Sequence, residues 1–288
     1  MPIGAHVSTT GGLSSSVGRA QALGAECFQL FLCTPQRWQA PRHTDQEIEA
    51  FGRLAGEASL GPNFAHAAYL INLASDNPQI RDRSVESLTT CLEWVDRLGP
   101  ALDGLVIHVG SGKGQPIDEA ESLVVAGLEA VLRHGFRSRL LLENSAGSGD
   151  TLGARFEQIG RLIDRLDRDA RLGLCLDTAH TFASGYDVRT DQGLCEALDE
   201  IERTIGLDRL RLIHANDSKV GLGSAVDRHE NIGQGLIGED GFAKMLQHPA
   251  LSSVAWVLEV PGYDNKGADV QNVQTLKRLA GRAPAGDQ

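Results

Sequence analysis

Basic residues are in deficit in this chain. Lys and Arg number 27 against 38 Asp and Glu, a formal charge of −11. That balance excludes broad basic-patch binding of nucleic acid; contact with a polyanion must be local, or run through bound cations that invert the charge of one site. Cysteine is sparse, and Cys27, Cys33, Cys91, Cys175 and Cys195 form no CxxC pair. Neither a disulfide framework nor a zinc ribbon is indicated, and a cytoplasmic protein with reduced thiols is expected. No apolar run is long enough to span a membrane, and the N-terminus lacks a signal-peptide pattern. A linker is missing as well. The reading is one domain over residues 1–280, with GRAPAGDQ (281–288) as a flexible tail.

What the chain does have is alternation. Short apolar runs, each too brief for a helix, recur between helical patterns: Ile3-Gly4-Ala5, Cys27 to Leu32, Asn63-Phe64-Ala65, Leu105-Val106-Ile107, Leu140-Leu141-Leu142, Leu172 to Leu176, Leu210 to Ile213, and Val254 to Leu258. Helices are expected at about 14–23, 44–58 (opened by a Thr-Asp-Gln-Glu capping box), 78–98, 117–133, 153–167, 191–204, 239–247 and 267–280. Strand-then-helix units of this number and length predict an α/β fold, a single-domain (β/α)8 TIM barrel, rather than an open sheet.

The polar residues fall at a regular place. From the third strand onward the runs end in His66, His108, Glu143, Asp177, His214 and Glu259. In a barrel these positions meet at the C-terminal face, where such enzymes place their chemistry. A carboxylate directly after a buried apolar run is costly unless paired or bound to a cation. One such residue fits a hydrogen-bonded core group; six on successive strands do not. His6 reads as a hydrogen-bonded wall of the pocket. His180 lies three residues beyond Asp177, and the loop that follows His214, within the stretch from Arg211 to Gly238, adds Asp227 and His229, whose spacing in extended backbone aims both side chains one way. Five histidines and four carboxylates exceed the three or four ligands of one mononuclear site. They point to a cluster of two or three ions. Imidazole-rich sites suit zinc, with manganese or iron also compatible.

Three segments then carry a family resemblance: AHAAYLINL (65–73), CLDTAHTFASGYD (175–187) and HANDSKVGLGSAVDRHENIGQGLIG (214–238). Together with GAHVS at Gly4 and the strand-end Glu259, they resemble the endonuclease IV family of apurinic/apyrimidinic endonucleases. The resemblance implies three zinc ions, with manganese an alternative at one site. His66, His108 and Glu143 hold one; Glu143, Asp177, His214 and Glu259 the second; His180, Asp227 and His229 the third. It further implies hydrolysis of duplex DNA 5′ to an abasic site by metal-activated hydroxide, giving a 3′-hydroxyl and a 5′-deoxyribose phosphate, and cleaning of blocked 3′ ends. Glu143 is the implied bridge, Glu259 orients the attacking water, and Asp177 is a structural ligand of the same pair. Tyr69 and Leu70 match residues that hold a flipped-out abasic nucleotide. Gln36 stands where the family usually has an arginine two before the Trp, with Arg37 beside it; Lys219 and Arg228 are phosphate-contact candidates. Ala68 and Val109 depart from the usual Ser and Pro without removing a ligand. A monomer is expected.

Two other readings have different signatures. A metal-dependent sugar isomerase or epimerase of the same barrel class needs one or two ions, which leaves His180, Asp227 and His229 without a purpose. A non-catalytic binder of damaged DNA with structural metals is expected to show closed, Cys-rich tetrahedra. GSGKG at 110–114 lacks the upstream Gly and following Ser/Thr of a phosphate loop, and Asn216-Asp217-Ser218 fits a glycosylation pattern inside the proposed site.

Overall fold

The structure, a computed structural model, describes residues 1–282. Its strands and helices run β1 Ile3–His6, α1 Leu13–Ala22, β2 Phe28–Phe31, α2 Asp45–Glu57, β3 Phe64–His66, α3 Pro78–Leu98, β4 Gly104–His108, α4 Ile117–Leu132, β5 Arg139–Glu143, α5 Phe156–Arg165, β6 Leu172–Asp177, α6 Thr178–Ala183, α7 Asp191–Thr204, β7 Leu210–His214, β8 Asp217–Ser218, β9 His229–Glu230, α8 Gly238–Gln247, β10 Ala255–Leu258 and α9 Val270–Leu279. Eight of the strands pair in parallel, in the order β1-β10-β7-β6-β5-β4-β3-β2, and the first and last close the ring through Ile3↔Trp256 and Ala5↔Leu258. The chain is a TIM barrel. β8 and β9 form a small antiparallel hairpin above it.

Two apolar layers hold the barrel. Outward-facing strand residues such as Phe28, Leu30 and Trp256 pack with Phe51, Phe156 and Phe242 from the helices, all fully or almost fully buried. Inside, Cys27, Phe64, Val106, Leu141, Cys175, Leu212, Ala255 and Val257 make a separate cluster that fills the lumen. Gly4 is the strand-one counterpart: a Cβ there would lie 1.7 Å from the Cys27 carbonyl oxygen, so only glycine lets β1 approach this closely.

Several helix boundaries move inward from the sequence expectation. α5 starts at Phe156 because Gly153 takes φ +89° and the Gln158 side chain caps the N–H groups of Gly153 and Arg155. α9 starts at Val270 because Asp269 is its N-cap, accepting from Asn272 N at 2.9 Å. The capping box on α2 is present, with Thr44 and Glu47 exchanging hydrogen bonds at 2.7 and 3.2 Å. Of the expected tail, Arg282 pairs with Glu26 at 2.7 Å; residues 283–288 lie outside the described part.

Candidate metal centre

Successive side chains of a strand point to opposite faces, so the residue two beyond each lumen-filling side chain faces the axis again, one step nearer the mouth. Stepping by two from Gly4, Cys27, Phe64, Val106, Leu141, Cys175, Leu212 and Val257 gives His6, Gln29, His66, His108, Glu143, Asp177, His214 and Glu259. Every barrel strand therefore contributes one polar side chain directly above an apolar floor. Six of these are legible in the sequence as strand ends and His6 as a wall residue; Gln29 is not, because an uncharged amide inside the run FQLF carries no signal until the pleat is registered.

The ligand-type groups converge in three contiguous sets. His66 Nε2 and His108 Nε2 stand 3.2 and 3.1 Å from Glu143 Oε2. His214 Nδ1 lies 3.1 Å from Glu143 Oε1 and 3.2 Å from Glu259 Oε2, with Asp177 completing that set. His180, His229 and Asp177 make the third. Asp227 joins it from the loop before β9: its two oxygens are 3.2 Å from His180 Nε2 and 3.2 Å from His229 Nε2. Glu143 touches the first two sets and Asp177 the last two, so both carboxylates are shared.

A hydrogen-bonded shell fixes them. Asp177 ends β6 and N-caps α6, its Oδ1 accepting from His180 N at 2.8 Å, so the short helix that carries His180 starts on another ligand. Asn144 accepts from Asp177 N at 2.7 Å, while its own carbonyl lies 2.9 Å from His180 Nδ1. Asn216, the apparent glycosylation site, is fully buried and donates to Asp177 Oδ2 at 2.7 Å. Gln29, also fully buried, donates from Nε2 to Glu259 Oε1 at 2.6 Å, and its Oε1 lies 2.9 Å from His214 Nε2. Asp217 does not belong to the centre. It accepts N–H bonds from Ser218, Gly233, Gly235, Ile237 and Gly238 and so shapes the loop that carries Asp227 and His229.

Burial disfavours charge on these groups, yet their mutual pairing prevails. Against the cost of burial, the His108 and His214 imidazoles hold the Glu143 carboxyl well below the usual carboxylate range. Against the cost of desolvation, His214 and His6 depress Glu259, and His180 and His229 depress the half-exposed Asp227. In return, and again against burial, Asp177 and Asp227 lift His180 to about 10 and His229 to about 9. His6 is the exception: burial outweighs the Glu259 carboxylate, lowers its pKa and leaves it neutral at pH 7. Where cations would sit, the metal-free centre holds protons.

The donor set fits divalent metal. His229 Nε2 is buried and has carboxylate oxygens of Asp227 and Asp177 at 3.2 and 3.5 Å, yet makes no well-formed hydrogen bond to either. A nitrogen crowded by carboxylates but bonded to none suits a shared cation better than a proton. Imidazole and carboxylate are the ligand types of zinc.

The family model described as Xylose isomerase-like TIM barrel matches residues 17–279. A probable endonuclease 4 of Halothermothrix orenii is 36% identical over 281 residues, covering 96% of this chain and 100% of that protein. That of Oleidesulfovibrio alaskensis is 41% identical over 280 residues, covering 96% and 95%. The crystal structure of endonuclease IV from Thermus thermophilus superposes with a TM-score of 0.85 at 36% identity, covering 98% of this chain and 100% of that one.

The chain belongs to the endonuclease IV family. Membership makes it an enzyme of the endonuclease class and accounts for the barrel and the clustered ligand-type residues. A D-psicose 3-epimerase from Clostridium cellulolyticum shares the fold at a TM-score of 0.65 but only 14% identity, a likeness of fold alone.

Around the centre, the residues that the endonuclease IV resemblance marks for DNA sit on the mouth. Tyr69 is 54% exposed; it stacks on the His108 ring (centroids 5.9 Å apart, 24° between planes) and meets Phe31 edge-on. It stands between two cavities, of about 740 Å³ and about 380 Å³, that open on either side of the ligands. Its N–H donates to the Pro35 carbonyl at 3.0 Å, tying it to the loop that presents the exposed Gln36 and Arg37. Leu70 is also exposed. Lys219 and Arg228 are exposed on the hairpin, Lys219 facing Glu230 at 3.5 Å.

Proposed function

We propose that this member of the endonuclease IV family repairs duplex DNA by hydrolysing the phosphodiester 5′ to an abasic site, leaving a 3′-hydroxyl and a 5′-deoxyribose phosphate, and that it also clears blocked 3′ ends. The observation that supports this reading best is the convergence of nine ligand-type side chains into three contiguous sets at the barrel mouth. Three divalent ions, zinc by donor type, would be held by His66, His108 and Glu143; by Glu143, Asp177, His214 and Glu259; and by His180, Asp227 and His229. When bound, such ions offset the charge of the phosphodiester and lower the pKa of a coordinated water.

The chain's own groups supply the rest. Glu259 is ionised and borders the larger cavity, so it orients the attacking water by accepting its hydrogen bond. Glu143, common to the first two of these sets, would hold that pair of ions at a fixed spacing, and Asp177 would be a structural ligand of the same pair. Tyr69 and Leu70 hold the extrahelical sugar, either Gln36 or Arg37 fills the gap left by the missing base, and Lys219 and Arg228 take flanking phosphates. With a net charge of −11, affinity for intact DNA is weak and salt-sensitive, and selectivity resides in the mouth.

A duplex carrying one abasic analogue that cannot undergo β-elimination tests the reading. The protein is assayed as purified, after chelation, and after zinc return, with the metal counted in each case. Cleavage 5′ of the analogue with a 3′-hydroxyl end, lost on chelation and restored by zinc, is expected. A fully metal-loaded protein that leaves the duplex intact overturns the proposal.

A further inference from the structure

We infer that Gln29 is a positioning residue of the metal centre: its single amide fixes which nitrogen of His214 and which oxygen of Glu259 face the ion. The inference rests on the metal-centre part of the function proposed above.

The argument is one of donors and acceptors. A carboxylate can only accept, and Glu259 Oε1 lies 2.6 Å from one end of the Gln29 amide. That end must be the NH₂. The other end is then the carbonyl oxygen, which can only accept, and it lies 2.9 Å from His214 Nε2. His214 Nε2 must therefore carry a proton, and when the ring is neutral, as a ligating imidazole must be, it is Nδ1 that presents its lone pair. Nδ1 is the nitrogen that faces Glu143 Oε1 and Glu259 Oε2, at 3.1 and 3.2 Å, in the middle of the ligand set. On the Glu259 side, the amide occupies Oε1 and leaves Oε2 turned toward that same Nδ1. The His6 ring nitrogen Nδ1, 3.0 Å from both the Gln29 amide and Glu259 Oε1, closes the arrangement from β1.

Burial makes this arrangement rigid. Gln29 is fully enclosed, so a flipped amide would set a carbonyl against a carboxylate and an NH₂ against an N–H with no water to relieve either clash. A partner that fixes the tautomer of a ligating histidine is a recurrent part of metal sites, and its loss costs roughly 10–100-fold in affinity. Here the partner is a neutral amide serving two ligands at once, from a strand that contributes no ligand of its own.

The test uses the full chain and reads metal binding and the His214 ring directly. Zinc affinity is measured by competition with a chromogenic chelator, with metal content counted, in wild type, Gln29→Met and Gln29→Glu. Long-range ¹⁵N–¹H spectra of the zinc-loaded protein with selectively labelled histidine report which His214 nitrogen bears the proton. Gln29→Met keeps the volume and removes both hydrogen bonds; about 10–100-fold weaker zinc binding and loss of the single Nε2–H signature are expected. Gln29→Glu keeps an acceptor for His214 but sets a carboxylate against Glu259, so the Nε2–H signature is expected to persist while zinc affinity falls. Thermal melts identify a variant that does not fold, in which case the other decides. Wild-type zinc affinity with an unchanged His214 signature in either folded variant overturns the inference. Failure of the wild type to incise abasic DNA would instead overturn the proposed reaction and leave these two readouts standing.

Discussion

Asn216 donates a hydrogen bond to the buried Asp177 carboxylate at 2.7 Å while its own side-chain oxygen accepts the backbone N–H of Glu259 at 2.9 Å. One fully buried amide thus spans the ends of β6 and β10 and orients a shared carboxylate. Asn216→Ala should leave Asp177 Oδ2 and the Glu259 N–H short of partners, at a cost of about 1–3 kcal/mol. Urea denaturation of the metal-free protein should show that loss, and a metal titration should show weaker binding of the ion that Asp177 would hold with Glu143, His214 and Glu259. A metal-free variant as stable as wild type would remove Asn216 from the shell.

Metal binding should release protons. His180, lifted to about 10, and His229, lifted to about 9, are protonated at pH 7 in the metal-free chain, and a ligating imidazole must be neutral. Affinity should therefore rise with pH and level off above about pH 10. The same raised values stabilise the metal-free fold fully below about pH 6.5, the ordinary histidine value, and that contribution is lost as pH climbs through 9 to 10. Metal-free protein should thus melt at lower temperature at pH 10 than at pH 6.5, and metal should narrow the difference. Calorimetry in buffers of different ionisation enthalpy counts the protons; a count of zero contradicts the paired-imidazole description.

Glu259→Gln should separate binding from chemistry. The amide keeps the shape of the carboxylate, so most of the metal and the DNA affinity should remain, while single-turnover incision falls by roughly 10²–10⁴-fold. Wild-type cleavage by this variant would show that Glu259 does not orient the water.

Asp217→Ala should act through the loop rather than the ligands. Its carboxylate gathers five backbone N–H groups, and a Cβ on Gly235 would lie 2.4 Å from its Oδ1. Both Asp217→Ala and Gly235→Ala should destabilise the chain, the former by at least about 3 kcal/mol. Each should loosen the ion held with His229 before the others, as metal content against temperature would reveal. Sequential loss in any other order argues against this role.

Much of this architecture is legible without coordinates, because two simple physical patterns carry it. Apolar runs that end in charge can be read one strand at a time, as at Leu140–Leu142 before Glu143, and the α2 capping box is written in four letters. What escapes depends on contacts between distant segments. Gln29 has no charge to betray it within FQLF, Asn144 looks like any residue after a ligand, and Asn216 resembles a glycosylation site until its burial is seen. Asp217 has the composition of a ligand but is turned toward the backbone by the fold of residues 233–238. The starts of α5 and α9 moved because Gly153 and Asp269 set the chain direction locally, against an apolar period that ran on past them.

The Arg282 guanidinium reaches Glu26 at 2.7 Å and the carbonyl of Met1, so residues 1 and 282 meet beneath the barrel floor, on the side away from the ligands. Cargo joined at residue 1, or attachment of that end to a surface, would leave the entrance unobstructed. A permuted chain with residue 282 bridged to residue 1 by a few amino acids, and new ends cut in the exposed turn at Gly135, would preserve every strand pairing that brings the centre together.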